Sequence, residues 1–252
     1  MASEGEPLST SLVLRPEEPA AGPWERWPLQ RLADVVATAG ATTSAGPLVV
    51  AVDGRGASGK STLATRLAAE MPDAVVIGTD DVAWHHSFFD WVDLLIEGVL
   101  APAAIGRAVS FRPPEWEERG RTGSIDVPAG TRYVIVEGTG ASRRELDAQL
   151  GYRIWVQSDF FAAERRGIER DVAQGVNGNR AESFAFWHEW MAQEIVFLAE
   201  DRPWERADLI VCGTPSHCWA DSSTPGARNS PHQWGEAGPD DVLVAESPTR
   251  GG

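Results

Sequence analysis

VVAVDGRGASGKST, residues 49–62, passes from a β-branched apolar run into a glycine-rich turn and then into helix-forming sequence. Gly54 and the group Gly59-Lys60-Ser61 stand at the spacing G-x-x-x-x-G-K-[ST] of a phosphate-binding loop. Each part has a physical reason. Glycines let backbone N–H groups curl around phosphate oxygens without Cβ clashes, and the helix that follows points its positive end at the same anion. Gly54, Gly56, Ala57, Ser58, Gly59, Lys60, Ser61 and Thr62 are therefore the expected nucleotide cradle. Lys60 is placed to reach the β- and γ-phosphates, and the Ser61 hydroxyl to ligate Mg²⁺. Lys60 is also the only lysine among 22 basic residues. A chain that uses arginine at every other basic position keeps a compact ammonium here.

Outward from this loop, short apolar runs alternate with helical patterns. Leu48–Val52, Ala74–Ile77, Val134–Val136, Arg153–Val156 and Leu209–Cys212 read as five buried strands. Such runs, separated by helices, predict a parallel sheet covered on both faces. The expected fold is α/β: a three-layer P-loop nucleoside-triphosphate hydrolase-type domain with a five-stranded parallel sheet. Ala108–Arg112 and Ser124–Val127 read as a small antiparallel hairpin insertion, and Pro23 to Gly40 as a helix beside the first strand. The expected organisation is a mobile leader over 1–23, one domain over 24–215 with a lid at about 159–180, and a disordered acidic tail over 216–252.

The 252 residues carry a formal net charge of −15. That argues against nucleic acid or an anionic membrane surface as a partner. No apolar run reaches transmembrane length and no signal pattern opens the chain, which predicts a cytoplasmic location. Cys212 reads as a small core residue, and no disulfide framework is expected. Oligomeric state is left open.

Polar residues recur where strands end: the phosphate loop, Asp80 and Asp81, Glu137, and Asp159 with the arginines after it. In doubly wound sheets these ends converge on one edge, where ligands bind. Phosphoryl transfer needs parts of this kind: a phosphate cradle, Mg²⁺ ligands, a carboxylate facing the acceptor, and cations over the γ-phosphate. Trp84, His85, Arg112 and Trp116 are candidates for an acceptor pocket. His85 reads equally as pocket wall or surface, and Arg112 as an anion ligand or a hairpin cap.

The ordered set V-V-A-V-D-G-x-x-x-x-G-K-S-T, T-D-D, F-D-W, V-I-V-E-G and R-x-x-x-R-D resembles the uridine kinase and phosphoribulokinase-like group of P-loop kinases, over about residues 30–215. The resemblance implies an ATP- and Mg²⁺-dependent kinase acting on a hydroxyl of a small molecule, with a nucleoside as first expectation. It implies Asp80 as general base, with Asp81 as the adjacent alternative. Glu137 would hold Mg²⁺ together with Ser61, and Arg166 and Arg170 would close over the phosphates. Uridine kinases follow the base with D-x-F-Y, whereas this chain reads Asp80-Asp81-Val82-Ala83-Trp84-His85-His86. A non-nucleoside acceptor (sugar, vitamin or antibiotic-like) is the second reading. A third is a regulatory module that binds ATP without transfer.

Overall fold

The computed structural model describes residues 12–39, 46–215 and 240–247. Its centre is a sheet whose parallel strands are β2 (Leu48–Gly54), β3 (Ala74–Gly78), β6 (Tyr133–Glu137), β7 (Tyr152–Gln157) and β8 (Leu209–Cys212). Two further strands, β1 (Glu25–Pro28) and β9 (Asp241–Ala245), extend it, and the order is β1-β9-β8-β7-β2-β6-β3. The sheet thus has seven strands instead of the expected five. The five expected strands form its parallel part, and β9 adds antiparallel to β8 and to β1.

This outcome corrects two sequence readings. Val242–Val244 sits inside β9, so residues 241–245 belong to the sheet and not to a tail; residues 216–239 lie outside the described residues. Trp27 lies in β1, and the helix expected from Pro23 begins only at Leu29, as α1 (Leu29–Ala39). The leader is corrected too. Residues 12–23 pack onto the domain, with Ala21 and Glu18 buried, Val13 N–H donating to the Asp159 carboxylate and Val13 O accepting Phe160 N–H. Cys212 is buried as expected, but it is disulfide-bonded.

Side-chain alternation on β2 builds the layers. Leu48, Val50 and Val52 join Leu32, Val36, Leu63 and Leu67 on one face. These last four come from α1 and from α2 (Lys60–Glu70). Val49 and Ala51 face the other way, onto Trp91, Leu95, Val99 and Leu100. That second layer is a helical stretch of α4 (Val92–Leu95), a π-turn (Ile96–Leu100) and α5 (Ala101–Ala104). The π-turn has a local cause. Pro102 has no N–H, and its ring would meet the carbonyl four residues back, so the helix widens before it and Ala101 N–H bonds Ile96 O. The hairpin β4 (Val109–Phe111) and β5 (Ile125–Val127) forms as expected, antiparallel, around the short α6 (Pro114–Glu118).

Candidate functional site

Register brings the strand ends level. Val52 and Gly78 both pair with Glu137, and Gly54 pairs with Val156. The carboxyl ends of β2, β3 and β6 therefore open onto one edge, where a cavity of about 830 Å³ forms.

The phosphate loop forms one wall. Gly54 takes φ 156°, Ala57 φ 54° and Gly59 φ 106°. Lys60 is the first residue of α2, and its Nζ donates to Arg55 O at 2.7 Å. The acid ending β2 braces the loop from behind. Asp53 is fully buried and accepts the N–H groups of Gly54, Gly140 and Ser142 and the Ser142 hydroxyl, all at 2.7–2.9 Å. Burial still pushes its carboxyl above the ordinary aspartate value, against those four bonds.

Ser61 Oγ donates to Glu137 Oε2 at 3.1 Å, which joins the two residues expected to hold a cation. Burial raises the Glu137 carboxyl, Lys60 opposes that rise, and the nearby Asp80 and Asp81 charges add to it. A hydroxyl and a carboxylate that converge in a field of excess negative charge are a fitting donor set for Mg²⁺, which binds hard oxygens. Among the described residues no group of three or more His, Cys, Asp or Glu side chains forms a metal cluster. A cation here would take most of its oxygens from phosphate and water.

Asp80 and Asp81 separate cleanly. Both lie in the first turn of α3 (Thr79–Ala83), but only Asp80 lines the cavity. Asp81 Oδ1 accepts from Arg121 at 2.5 Å, while its backbone carbonyl accepts Trp116 Nε1–H at 2.9 Å. Asp81 and Trp116, expected to touch substrate, instead fasten α3 to α6. Of the two readings of Arg112, the structure has the hairpin cap: it donates to the carbonyls of Gly123 and Arg121 and lies outside the cavity lining. The guanidinium of Arg121 fills the gap between them, 3.7 Å from the Trp116 ring centre. Trp84 and His85 do line the cavity.

The opposite wall comes from α7 (Phe160–Gln174) and α8 (Arg180–Asp201). Asp159 caps α7 by accepting Ala162 N–H, and Gly175 ends it at φ 65°. Arg166 and Arg170 face the cavity from α7. Arg166 donates to Gly213 O at 3.0 Å, and burial lowers its pKa. Arg170 donates to Asp171, which also accepts from Asn177. Neither Ser58 nor Gly54 lines the cavity; both are buried within the loop.

Sequence reasoning missed the α8 wall. Phe186, Trp187 and Trp190 face the cavity together with Phe88, and none of these three α8 residues was a candidate on sequence grounds. Trp187 serves both roles: it is buried, yet it contacts the cavity. The recurrence of Phe186 and Trp190 four residues apart on one helix face was the available signal. Glu194, one turn further, accepts Gly56 N–H at 2.6 Å. No spacing rule connects residues 138 apart.

No protein-family model matches the chain, and no curated protein matches its sequence. Solved structures do share its fold. A candidate fructose transport system kinase from Silicibacter sp. TM1040 aligns with TM-score 0.50 and 21% identity, covering 72% of this chain and 95% of that one. A candidate uridine kinase from Bacillus stearothermophilus aligns at 0.47 and 18%, covering 72% and 96%. The protein YGR205w aligns at 0.45 and 11%, covering 73% and 91%. The first of these likenesses places the chain in the fold of P-loop kinases. No helix among the described residues is long and apolar enough to cross a membrane.

Proposed function

We propose that this protein is an ATP-dependent kinase that transfers the γ-phosphoryl group to a hydroxyl of an uncharged, ring-bearing small molecule. The supporting observation is that one cavity is shared by the phosphate loop, the Ser61–Glu137 pair, the Asp80 carboxylate and an aromatic wall. Nucleotide phosphates would lie in the loop against Lys60 and the N-terminus of α2. Mg²⁺, when bound at Ser61 and Glu137, would neutralise charge developing on the β- and γ-oxygens. Asp80 orients the acceptor hydroxyl and accepts its proton late in transfer. Arg166 and Arg170 hold the negative charge of the transferring group from the lid side.

The acceptor half supports the choice of a neutral substrate. Its lining is Asp80, Ala83, Trp84, His85 and Phe88, faced by Phe186 from α8. The cavity's arginines and its lysine are Lys60, Arg166 and Arg170, all assigned to phosphate. An acceptor carrying its own phosphate would meet Asp80 without a cation to offset it. Flat rings stack favourably on such a wall, so nucleosides come first and other ring-bearing alcohols second. The test is acceptor-stimulated ADP release with Mg-ATP across nucleosides, then sugars, vitamins and antibiotic-like compounds. Turnover on a nucleoside supports the reading. Turnover only on phosphorylated acceptors overturns the neutral-substrate part, and no stimulation by any compound leaves a nucleotide-binding module.

A further inference from the structure

Glu194 is a buried acid from the last third of α8 that reaches into the backbone of the phosphate loop. It is 2% exposed, and its Oε1 accepts Gly56 N–H at 2.6 Å. The approach is close on both sides: a Cβ added at Gly56 would lie 2.5 Å from the Trp190 ring, one helical turn before Glu194. The neighbouring Arg55 is buried too. Its Nε donates to Glu18 at 3.1 Å, and its Nη2 lies 3.9 Å from Glu17. Among the described residues, neither Nη1 nor Nη2 finds a hydrogen-bond acceptor. Arg55 and Glu194 also line one small void together with Phe160, Glu164 and Trp187.

We propose that Glu194 is a positioning residue for the nucleotide, which sets the loop through Gly56 and whose ionisation weakens binding of phosphate in the cradle. The proposal rests on the reading of residues 54–61 as a nucleotide cradle. The loop runs from the Gly56 N–H held by Glu194 directly into Gly59, Lys60 and Ser61. An anion in the cradle therefore comes close to this carboxylate within a buried, poorly screened region. Arg55 and Lys60 face Glu194 with positive charge from the loop. Asp53 faces it with negative charge from the end of β2, Glu164 stands on α7, and Glu18 stands beyond Arg55. Burial pushes the Glu194 carboxyl up to about 7, so both protonation states are populated near neutral pH. Protonation does not undo the anchor, because a neutral carboxyl still accepts the Gly56 N–H. It removes only the charge. Phosphate binding then favours the protonated form, and a fraction of a proton, about half for a rise of one pKa unit, passes from solvent onto Glu194 as the ligand enters.

The experiment is isothermal titration of the full chain with Mg-ATP, without acceptor, from pH 6 to pH 8.5, for wild type and Glu194→Gln. The amide keeps the acceptor oxygen and behaves as a permanently neutral carboxyl. The two proteins should bind alike at pH 6, and the variant should bind about tenfold more tightly at pH 8.5, the consequence of roughly one unit of pKa change on binding. Protonation of the nucleotide itself affects both proteins equally and cancels in the ratio. An affinity ratio constant with pH would mean a purely structural role and would overturn the proposal. Wild-type protein gives a second readout that needs no variant: titration near pH 7 in buffers of differing ionisation enthalpy should show net proton uptake, and none would overturn it. Mg-ATP that fails to bind at any pH sinks the cradle reading as well, whereas binding with an unchanged ratio sinks only the role of Glu194.

Discussion

Glu18 Oε2 accepts the Nε–H of Arg55 at 3.1 Å, and both side chains are almost fully buried. The other Glu18 oxygen accepts Trp155 Nε1–H at 2.8 Å and Gln157 Nε2–H at 3.2 Å. A residue near the start of the chain thus holds the first variable position of the phosphate loop and the end of β7 at once. Removing one partner of a buried ion pair leaves the other charged and uncompensated. Glu18→Ala should therefore cost about 3–5 kcal/mol in unfolding free energy by urea denaturation. A loss below 1 kcal/mol (about the range of an exposed pair) would show that the segment does not brace the loop.

Asp80 and Asp81 should respond in opposite ways to the same substitution. Asp80→Asn removes the group aimed at the acceptor, so acceptor-stimulated turnover should fall about 10²–10⁴-fold while Mg-ATP affinity stays near wild type. Asp81→Asn keeps an acceptor oxygen but removes the charge paired with Arg121, and should lower the melting temperature more than the turnover. Steady-state kinetics beside thermal melts of the two variants separate these effects. The assignment fails if Asp81→Asn is the variant that loses turnover.

Glu137 shares its oxygen with the Ser61 hydroxyl, so its loss should appear first as a changed metal requirement. Glu137→Gln is expected to raise the Mg²⁺ concentration giving half-maximal turnover by about 10–100-fold. Titrating Mg²⁺ at saturating ATP checks this. An unchanged midpoint would remove Glu137 from the cation site.

Helices α7 and α8 meet at Gly167, where an added Cβ would lie 2.0 Å from the Trp187 ring. Gly167→Ala must push Trp187 aside or separate the helices, at a cost of about 1–3 kcal/mol. Since Trp187 also lines the cavity, the variant should bind acceptor more weakly. Stability at wild-type level would mean that the two helices separate freely.

Glu194 also predicts a stability profile. Its folded-state pKa, about 7, lies above the ordinary glutamate value of 4.5, so the folded chain binds this proton more tightly than the unfolded chain. Its contribution is favourable below pH 4.5 and declines as pH rises to about 7, with a total of the order of 3 kcal/mol. Glu194→Gln removes that slope. Denaturation midpoints of the two proteins from pH 5 to pH 7.5 should diverge, with the variant gaining on wild type as pH rises. Parallel profiles would show that the acid is not held as buried as the structure has it.

Local patterns made much of this protein legible. The loop over residues 54–61 declares itself because a phosphate cradle needs glycine, lysine and serine at set spacings along one short segment. The five parallel strands could be read because strands buried on both faces are continuous apolar runs, and the convergence of Asp80, Glu137 and Arg166 follows from where such strands end. What stayed hidden depends on partners remote in the chain. Val242–Val244 is too short to reveal that it pairs with β8 and β1, since pairing is a property of two segments. Asp80 and Asp81 are the same residue type side by side, and a rotation of about 100° between successive helical positions decides which one faces the cavity.

The sequence alone made legible the phosphate loop with Ser61, Glu137 at a strand end, and Arg166 and Arg170 on the helix after Asp159, each encoded by residues close together or by the ends of predictable strands. Tertiary structure decided what surrounds these residues. It turned Arg112, Trp116 and Asp81 into fasteners of the hairpin, made α8 the aromatic wall, and set Glu18 and Glu194 against neighbouring residues of the loop. The physical reason is burial. A carboxylate acquires a role from the donors and dielectric around it, and folding creates both by joining segments that are distant in sequence.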